Sequence, residues 1–269
     1  MKISLGNQAV LCELDQRGVA TITLNRPEVN NAYNGDMLSG LHEAMDHLAK
    51  ELTLRIVVLQ GKGKHFQAGA DLNWISSVGK TDPTGNEKAS RLTAEAVRRL
   101  NELPIPTIAI VQGACIGGGT GIISACDVVV ASENAIFGVS EARWGLVAGI
   151  IFPQLVQAIG VRNLRRYALT CEKFGAVTAK QIGLVHEVCS GKDLQKVCDD
   201  IVDAILMNGP QAVSASKSRI LGVAGALLSD DLFDVLDTEH AQVRQSSEAA
   251  EGTTSFKEKR SPTWYVPRE

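Results

Sequence analysis

Residues 115–127, CIGGGTGIISACD, place three consecutive glycines, Gly117, Gly118 and Gly119, ahead of a short apolar run, with a fourth, Gly121, two residues on. Glycine gives up side-chain contacts and loses the most backbone freedom on folding, so such a run marks a need for bare backbone. A second glycine-containing loop, Gly61 to Asp71, ends in HFQAGAD. Each loop follows a buried-strand pattern and leads toward a helix, and in parallel sheets ligands gather at the carboxyl ends of strands. Two backbone N–H groups aimed at one carbonyl oxygen would stabilise the charge of an enolate, and a helix starting at one of them adds its positive dipole end. Ala70 and Gly118 are the donors this arrangement assigns, and Glu141, in AIFGVSEARWGL, is the acid that arrives soon after. A tight strand-to-helix turn would explain the glycine run equally well when it is taken alone. Neither GxGxxG nor GxxxxGK[ST] occurs, so dinucleotide and P-loop phosphate sites are excluded.

The elements that must carry these loops follow from periodicity. AVLCEL (9–14) and VATITL (19–24), separated by Asp15-Gln16-Arg17-Gly18, read as a hairpin. A helix over 37–51 repeats Leu38, Leu41, Met45 and Leu48 at helical spacing. LRIVVLQG (54–61), TIAIVQG (107–113) and VVVAS (128–132) read as buried strands, with a helix over 89–104 between the first two. The polar stretch 76–88 is expected to be mobile. Strand and helix alternate, which implies a mainly parallel sheet covered by helices. From about residue 153 the pattern is helix after helix, giving an expected division into an α/β core, 1–200, and a helical C-terminal region, 201–269, with apolar faces suited to self-association.

Composition narrows the partners. With 269 residues, 45% hydrophobic and 21% charged, the chain can bury a substantial core, and a net charge of -3 provides no global attraction to nucleic acid or an anionic membrane. The six cysteines form no CxxC pair and read as buried reduced thiols rather than metal ligands. The first residues turn polar too early for a signal peptide, and no apolar run reaches the ~20 residues of a membrane span. A cytoplasmic protein without a metal or resident cofactor is expected.

Several motifs in order resemble the enoyl-CoA hydratase/isomerase, or crotonase, superfamily: LNRPEVNNA (24–32), HFQAGADL (65–72), IPTIAIVQGACIGGGTGIISACDVVVAS (105–132), AIFGVSEARWGL (135–146), TAKQIGLVHEV (178–188) and SFKEKRSPTW (255–264). The resemblance implies the ClpP/crotonase-like fold of repeated β-β-α units with a C-terminal trimerisation region, assembly as trimers or dimers of trimers, and acyl-CoA thioester substrates. Coenzyme A would be part of the substrate. The resemblance places the oxyanion-hole amides at Ala70 and Gly118. It makes Arg26, Val29, Ala32, Ala68, Asp71, Leu72 and Gly117 substrate contacts, with Lys259 as a phosphate partner.

One position departs from the two-carboxylate hydratases of that family. They carry a glutamate two residues beyond the last glycine of the run, where this chain has Gly121 and keeps only Glu141. The leading reading is hydration of an α,β-unsaturated thioester, and the chain looks nearest to the single-glutamate hydratases of branched glutaconyl-CoA esters. Arg143 would face the second carboxylate of such a substrate. The alternatives are an isomerase using the same glutamate and a noncatalytic acyl-CoA- or RNA-binding relative. A water-holding polar group opposite Glu141 would favour hydration, and a closed apolar wall would favour isomerisation.

Overall fold

A computed structural model describes residues 1–227 and 229–268. The strands are β1 (Lys2–Ile3), β2 (Val10–Leu14), β3 (Val19–Leu24), β4 (Ile56–Gly61), β5 (Thr107–Val111), β6 (Ala114–Ile116), β7 (Val128–Ser132), β8 (Ile136–Gly138), β9 (Phe174–Gly175) and β10 (Glu187–Cys189). The helices are α1 (Gly35–Leu48), α2 (Leu72–Val78), α3 (Pro83–Glu102), α4 (Gly118–Ser124), α5 (Phe152–Thr170), α6 (Ala176–Gln181), α7 (Leu194–Leu206), α8 (Pro210–Val223), α9 (Asp230–Val243) and α10 (Ser247–Glu258). Seven strands form a sheet in the order β1-β2-β3-β4-β5-β7-β10, and β6, β8 and β9 form a smaller one. The expected hairpin pairs β2 with β3 antiparallel, and β3, β4, β5, β7 and β10 then run parallel.

Alternation along the parallel strands sorts the core into two layers. Val57 and Leu59 of β4 point to the larger core with Leu41, Met45 and Leu48 of α1. Ile56 and Val58 point the other way, where α7 lays down Leu194, Cys198, Val202 and Leu206 at four-residue spacing. Burying each of the larger apolar side chains contributes about 1.5–3 kcal/mol, so α7 belongs to the core. The expected boundary at residue 200 therefore falls inside a core helix, and the appended helices begin with α8.

Side-chain hydrogen bonds tie the appended helices and the tail to the body. Lys217 of α8, 8% exposed, donates to the Ile105 carbonyl at 3.0 Å and to Asp127 at 2.7 Å. Asp127 also accepts from the Thr107 amide at 2.7 Å and hydroxyl at 2.9 Å, a structural role. The tail returns to the body through Arg55, which donates to the Trp264 carbonyl at 3.1 Å. On α9 and α10, Phe233 and Phe256 remain exposed.

Much of the stretch expected to be mobile is helical. Asp82 caps α3 by accepting from the Gly85 amide at 2.7 Å, and Pro83 occupies the first turn, where its missing N–H costs nothing. α5 bends at Gly160, whose φ of 72° interrupts the helix. The six cysteines are free thiols. Among the described residues no helix is long and apolar enough to cross a membrane, and no cluster of His, Cys, Asp or Glu is arranged to hold a metal.

Candidate active site

The two glycine loops lie side by side at the carboxyl ends of β4 and β5. The Phe66 amide donates to the Gln112 carbonyl at 2.8 Å, Gln67 to Ala114 at 3.0 Å, and Ile116 returns a bond to Gln67 at 2.9 Å. His65 packs the loop in place, its Nδ1 accepting from the Ala114 amide at 2.9 Å. The loop after β3 completes the group. Asn31 is fully buried, its Oδ1 accepts from the Arg26 amide at 2.8 Å, and its Nδ2 donates to the Lys62 and His65 carbonyls at 2.9 and 2.8 Å. Further on, the Tyr33 amide donates to Gly69 and the Asp71 amide donates to Tyr33, each at 2.9 Å. Those two bonds bracket Ala70, so its own N–H points away from Tyr33. Gly118 is the first residue of α4, in the turn whose amides have no acceptor within the helix.

Each glycine of the run has its own neighbour. Gly117 has a φ of 57°, and a Cβ there would stand 2.8 Å from Glu141 Oε1. A Cβ on Gly118 would be 2.7 Å from Tyr33 Cε1, and one on Gly119 would be 2.9 Å from the Gln67 carbonyl oxygen. The bare backbone thus lets Glu141, Tyr33 and Gln67 close on it. Gln67 is completely buried, and among the described residues its side-chain amide has no hydrogen-bond partner.

Glu141 opens a short 3-10 turn, Glu141–Trp144, after β8. Burial pushes its carboxyl above the ordinary glutamate value of 4.5, partly offset by its own amide and that of Ser140. Its Oε2 is buried without a partner among the described residues. Burial, and then the charge of Glu141, push the Tyr33 phenol up to about 12. Both side chains line a cavity of about 360 Å³ with Gly118, Trp74, Val78 and Val97. Among the described residues no lysine, arginine or histidine lines it. Across Leu146–Ala148 lies a second apolar cavity of about 380 Å³, which also reaches Glu141 and is walled by Phe152, Val156, Val161 and Leu164.

The place of the absent second carboxylate is filled. A Cβ on Gly121 would overlap Ile151 Cγ2 and stand 2.7 Å from Ile151 Cβ, and Ile151 is 2% exposed. Ile151 lines the first cavity together with Ile122, Leu146, Val147 and Ile150.

Other sequence-assigned residues divide differently. Arg26 and Asp71 face each other at 3.1 Å, and Arg26 Nη1 donates to the Ala32 carbonyl at 2.5 Å, so this pair ties the loop after β3 to the start of α2. Burial raises the Asp71 pKa, but Arg26 and the Trp74 and Asn73 amides outweigh it and lower the value. Val29 and Leu72 are exposed, Ala32 and Ala68 half-buried, and all four stand outside the cavity, Leu72 as the first residue of α2. Lys259 is exposed at the C-cap of α10, and Arg143 is exposed; neither lines either cavity. Trp74 lines the first cavity, whereas Trp144 is 60% exposed and lines neither. His186 Nδ1 accepts from the Val129 amide at 3.0 Å. Asn31, Tyr33, Gln67 and Ile151 were not singled out by sequence; only the adjacent Asn30-Asn31, suited to the left-handed conformation both adopt, hinted at a built loop.

Comparison with known proteins agrees with this architecture. The family model for enoyl-CoA hydratase/isomerase matches residues 15–266. Enoyl-CoA hydratase EchA19 of Mycobacterium tuberculosis is 32% identical over 261 residues, covering 93% of this chain and 95% of that protein. The peroxisomal Delta(3,5)-Delta(2,4)-dienoyl-CoA isomerase of Arabidopsis thaliana is 30% identical over 254 residues, covering 90% of each. The crystal structure of an enoyl-CoA hydratase from Shewanella pealeana superposes with a TM-score of 0.91 at 34% identity, covering 96% of both chains. Sequence, fold and relatives agree that the chain is an enzyme of the enoyl-CoA hydratase/isomerase family.

Proposed function

We propose that the enzyme shifts a carbon–carbon double bond in an acyl-CoA thioester, with Glu141 as its general acid and base. The observation that carries this reading is the apolar filling of the second-acid position by Ile151 against Gly121. Addition of water uses groups that hold the water as well as move the proton. Here the cavity that Glu141 lines is also walled by Ile122, Leu146, Val147 and Ile150. In the proposed reaction the Glu141 carboxylate takes a proton from C2 of a 3-enoyl thioester. The C–H electrons pass into the carbonyl, and the enolate oxygen is received by the Ala70 and Gly118 amides. The carboxylic acid then returns the proton to C4 as the electrons flow back, leaving a 2-enoyl thioester. The raised pKa of Glu141 suits a group that must both take and give a proton.

Among the described residues no cation lines the cavity, which supports a neutral acyl chain rather than a branched glutaconyl ester, for which Arg143 offers no contact from its exposed position. The coenzyme A portion is assigned to the loop surface of Val29, Ala32, Ala68 and Leu72. The exposed Phe233 and Phe256 support burial of the C-terminal helices in a homotrimer or a dimer of trimers.

Hydration is the second reading, favoured by the buried, unpartnered Glu141 Oε2, which a single water would satisfy. Incubating crotonyl-, 3-enoyl- and 3-methylglutaconyl-CoA in ¹⁸O-water and, separately, in D₂O separates the two. Isomerisation gives 2-enoyl product from the 3-enoyl substrate without ¹⁸O. An ¹⁸O-labelled 3-hydroxyacyl product as the main outcome would overturn the proposal in favour of hydration.

A further inference from the structure

Ala70 and Gly118 stand on different loops, so their amides serve one oxygen only if something fixes the gap between them. Tyr33 touches both. Its main chain makes the two 2.9 Å hydrogen bonds that flank Ala70, to the Gly69 carbonyl and from the Asp71 amide. Its ring edge lies on Gly118, where a Cβ would come 2.7 Å from Cε1 and 3.2 Å from Cδ1. Trp74 holds the ring from the side in an edge-on contact, centroids 5.7 Å apart and planes at 67°. Trp74 in turn belongs to the first turn of α2, which Asp71 caps by accepting from the Asn73 and Trp74 amides. One residue therefore spans the two donors, and its ring is braced by the helix that follows the loop carrying Ala70.

The geometry points to Tyr33 as a positioning residue of the oxyanion hole, its main chain locating Ala70 and its ring locating Gly118. The inference rests on the proposal that these two amides receive the thioester oxygen. The ring edge makes the contact. The phenol, pushed up to about 12 by burial and the Glu141 charge, stays protonated at neutral pH and accepts no proton from substrate.

The test compares Tyr33→Phe, which keeps the ring, with Tyr33→Ala and Tyr33→Leu, which keep the main chain and remove the planar edge. The probe is a 2,4-dienoyl-CoA, whose absorbance moves to longer wavelength when its carbonyl is polarised, bound in a Glu141→Gln background that suppresses turnover. Tyr33→Phe is expected to show the parent's red shift and, with Glu141 present, kcat within about twofold of the parent. Tyr33→Ala and Tyr33→Leu are expected to lose most of the shift and about 10²-fold in kcat, with KM changed far less. Equal loss in Tyr33→Phe would assign the effect to the hydroxyl and overturn the inference. An unchanged shift in the ring-less variants would overturn it too, and Tyr33→Leu serves if Tyr33→Ala does not fold. A parent lacking any red shift would overturn the oxyanion hole itself and this inference with it, whereas failure of isomerisation alone would leave the spectrum intact.

Discussion

Substituting Gly121 by alanine tests whether Ile151 occupies the second-acid position. Within α4, alanine is preferred over glycine by about 1 kcal/mol, so an unobstructed site would be stabilised. The site is obstructed. The new methyl would overlap Ile151 Cγ2 and stand 2.7 Å from Ile151 Cβ, an atom that no change of rotamer moves away. Overpacking costs about 1–3 kcal/mol, and contact with an immobile atom places this case near the upper end. The difference is a net destabilisation of about 2 kcal/mol, or about 4–8 °C in Tm for a chain of this size. In an Ile151→Ala background, itself weakened by about 2–5 kcal/mol, the obstruction is gone and Gly121→Ala should stabilise by about 1 kcal/mol. The coupling between the two changes is then about 3 kcal/mol, far above the ~0.5 kcal/mol within which independent sites add. Urea unfolding of the four proteins at one protein concentration reads it. A stabilised Gly121→Ala single variant, or the same penalty in both backgrounds, would refute the packing and with it the case against a second acid.

Glu141→Gln should lower turnover by about 10²-fold or more while leaving the fold intact, checked by steady-state kinetics beside circular dichroism. Because burial raises the Glu141 pKa, the carboxylate needed to remove a proton is lost as pH falls through a value above the usual glutamate range, so the acid limb of kcat/KM should sit higher than for an exposed carboxylate. The same shift has a stability consequence of fixed sign: a folded pKa above the unfolded one contributes stability fully present below the unfolded pKa and lost as pH rises through the folded pKa. Glu141→Gln should therefore be more stable than the parent at neutral pH, with the advantage vanishing in acid, and a thermal-melt series from pH 4 to 8 measures it. Gly118→Val would drive its Cβ to 2.7 Å from Tyr33 Cε1 and should cost about 10²-fold in kcat; near-parental rates would remove Gly118 from the oxyanion hole. Asp127→Ala, which strips the buried Lys217 of its partner, should destabilise by about 2 kcal/mol in denaturant titration without altering KM.

The strands were legible because β-branched runs such as IVVLQ and TIAIV bury both faces, a pattern that local sequence alone sets. That the two glycine loops lie together was legible because each follows a strand of one parallel sheet, which puts both at the same sheet edge. The start of α3 was in principle readable from Asp82-Pro83, but Gly85 and the surrounding polar residues masked it, and packing against α1 prevails over weak propensity. Tyr33 carries no local signal. Its neighbours, Asn30-Asn31 before and Asn34-Gly35 after, describe only turns, and its role arises from pairing with Ala70 and contact with Gly118, partners brought near by the parallel sheet.

Ile151 sharpens what the fourth glycine means. Read from sequence, Gly121 is an absence, and an absence is compatible with a water, a substrate group or a borrowed side chain filling the space. In the folded chain the space does not exist, because Gly121 and Ile151 are two halves of one packing contact. Restoring an acid would therefore take two coordinated changes, a side chain at 121 and a smaller residue at 151, and either alone leaves an overlap or a cavity. A specificity that requires two simultaneous substitutions to reverse is held by the core, not only by the list of groups facing the substrate. The same contact lies beside Ile150 and Val147, which wall the cavity near Glu141, so the packing that excludes the second carboxylate also shapes where the acyl chain can lie relative to the first.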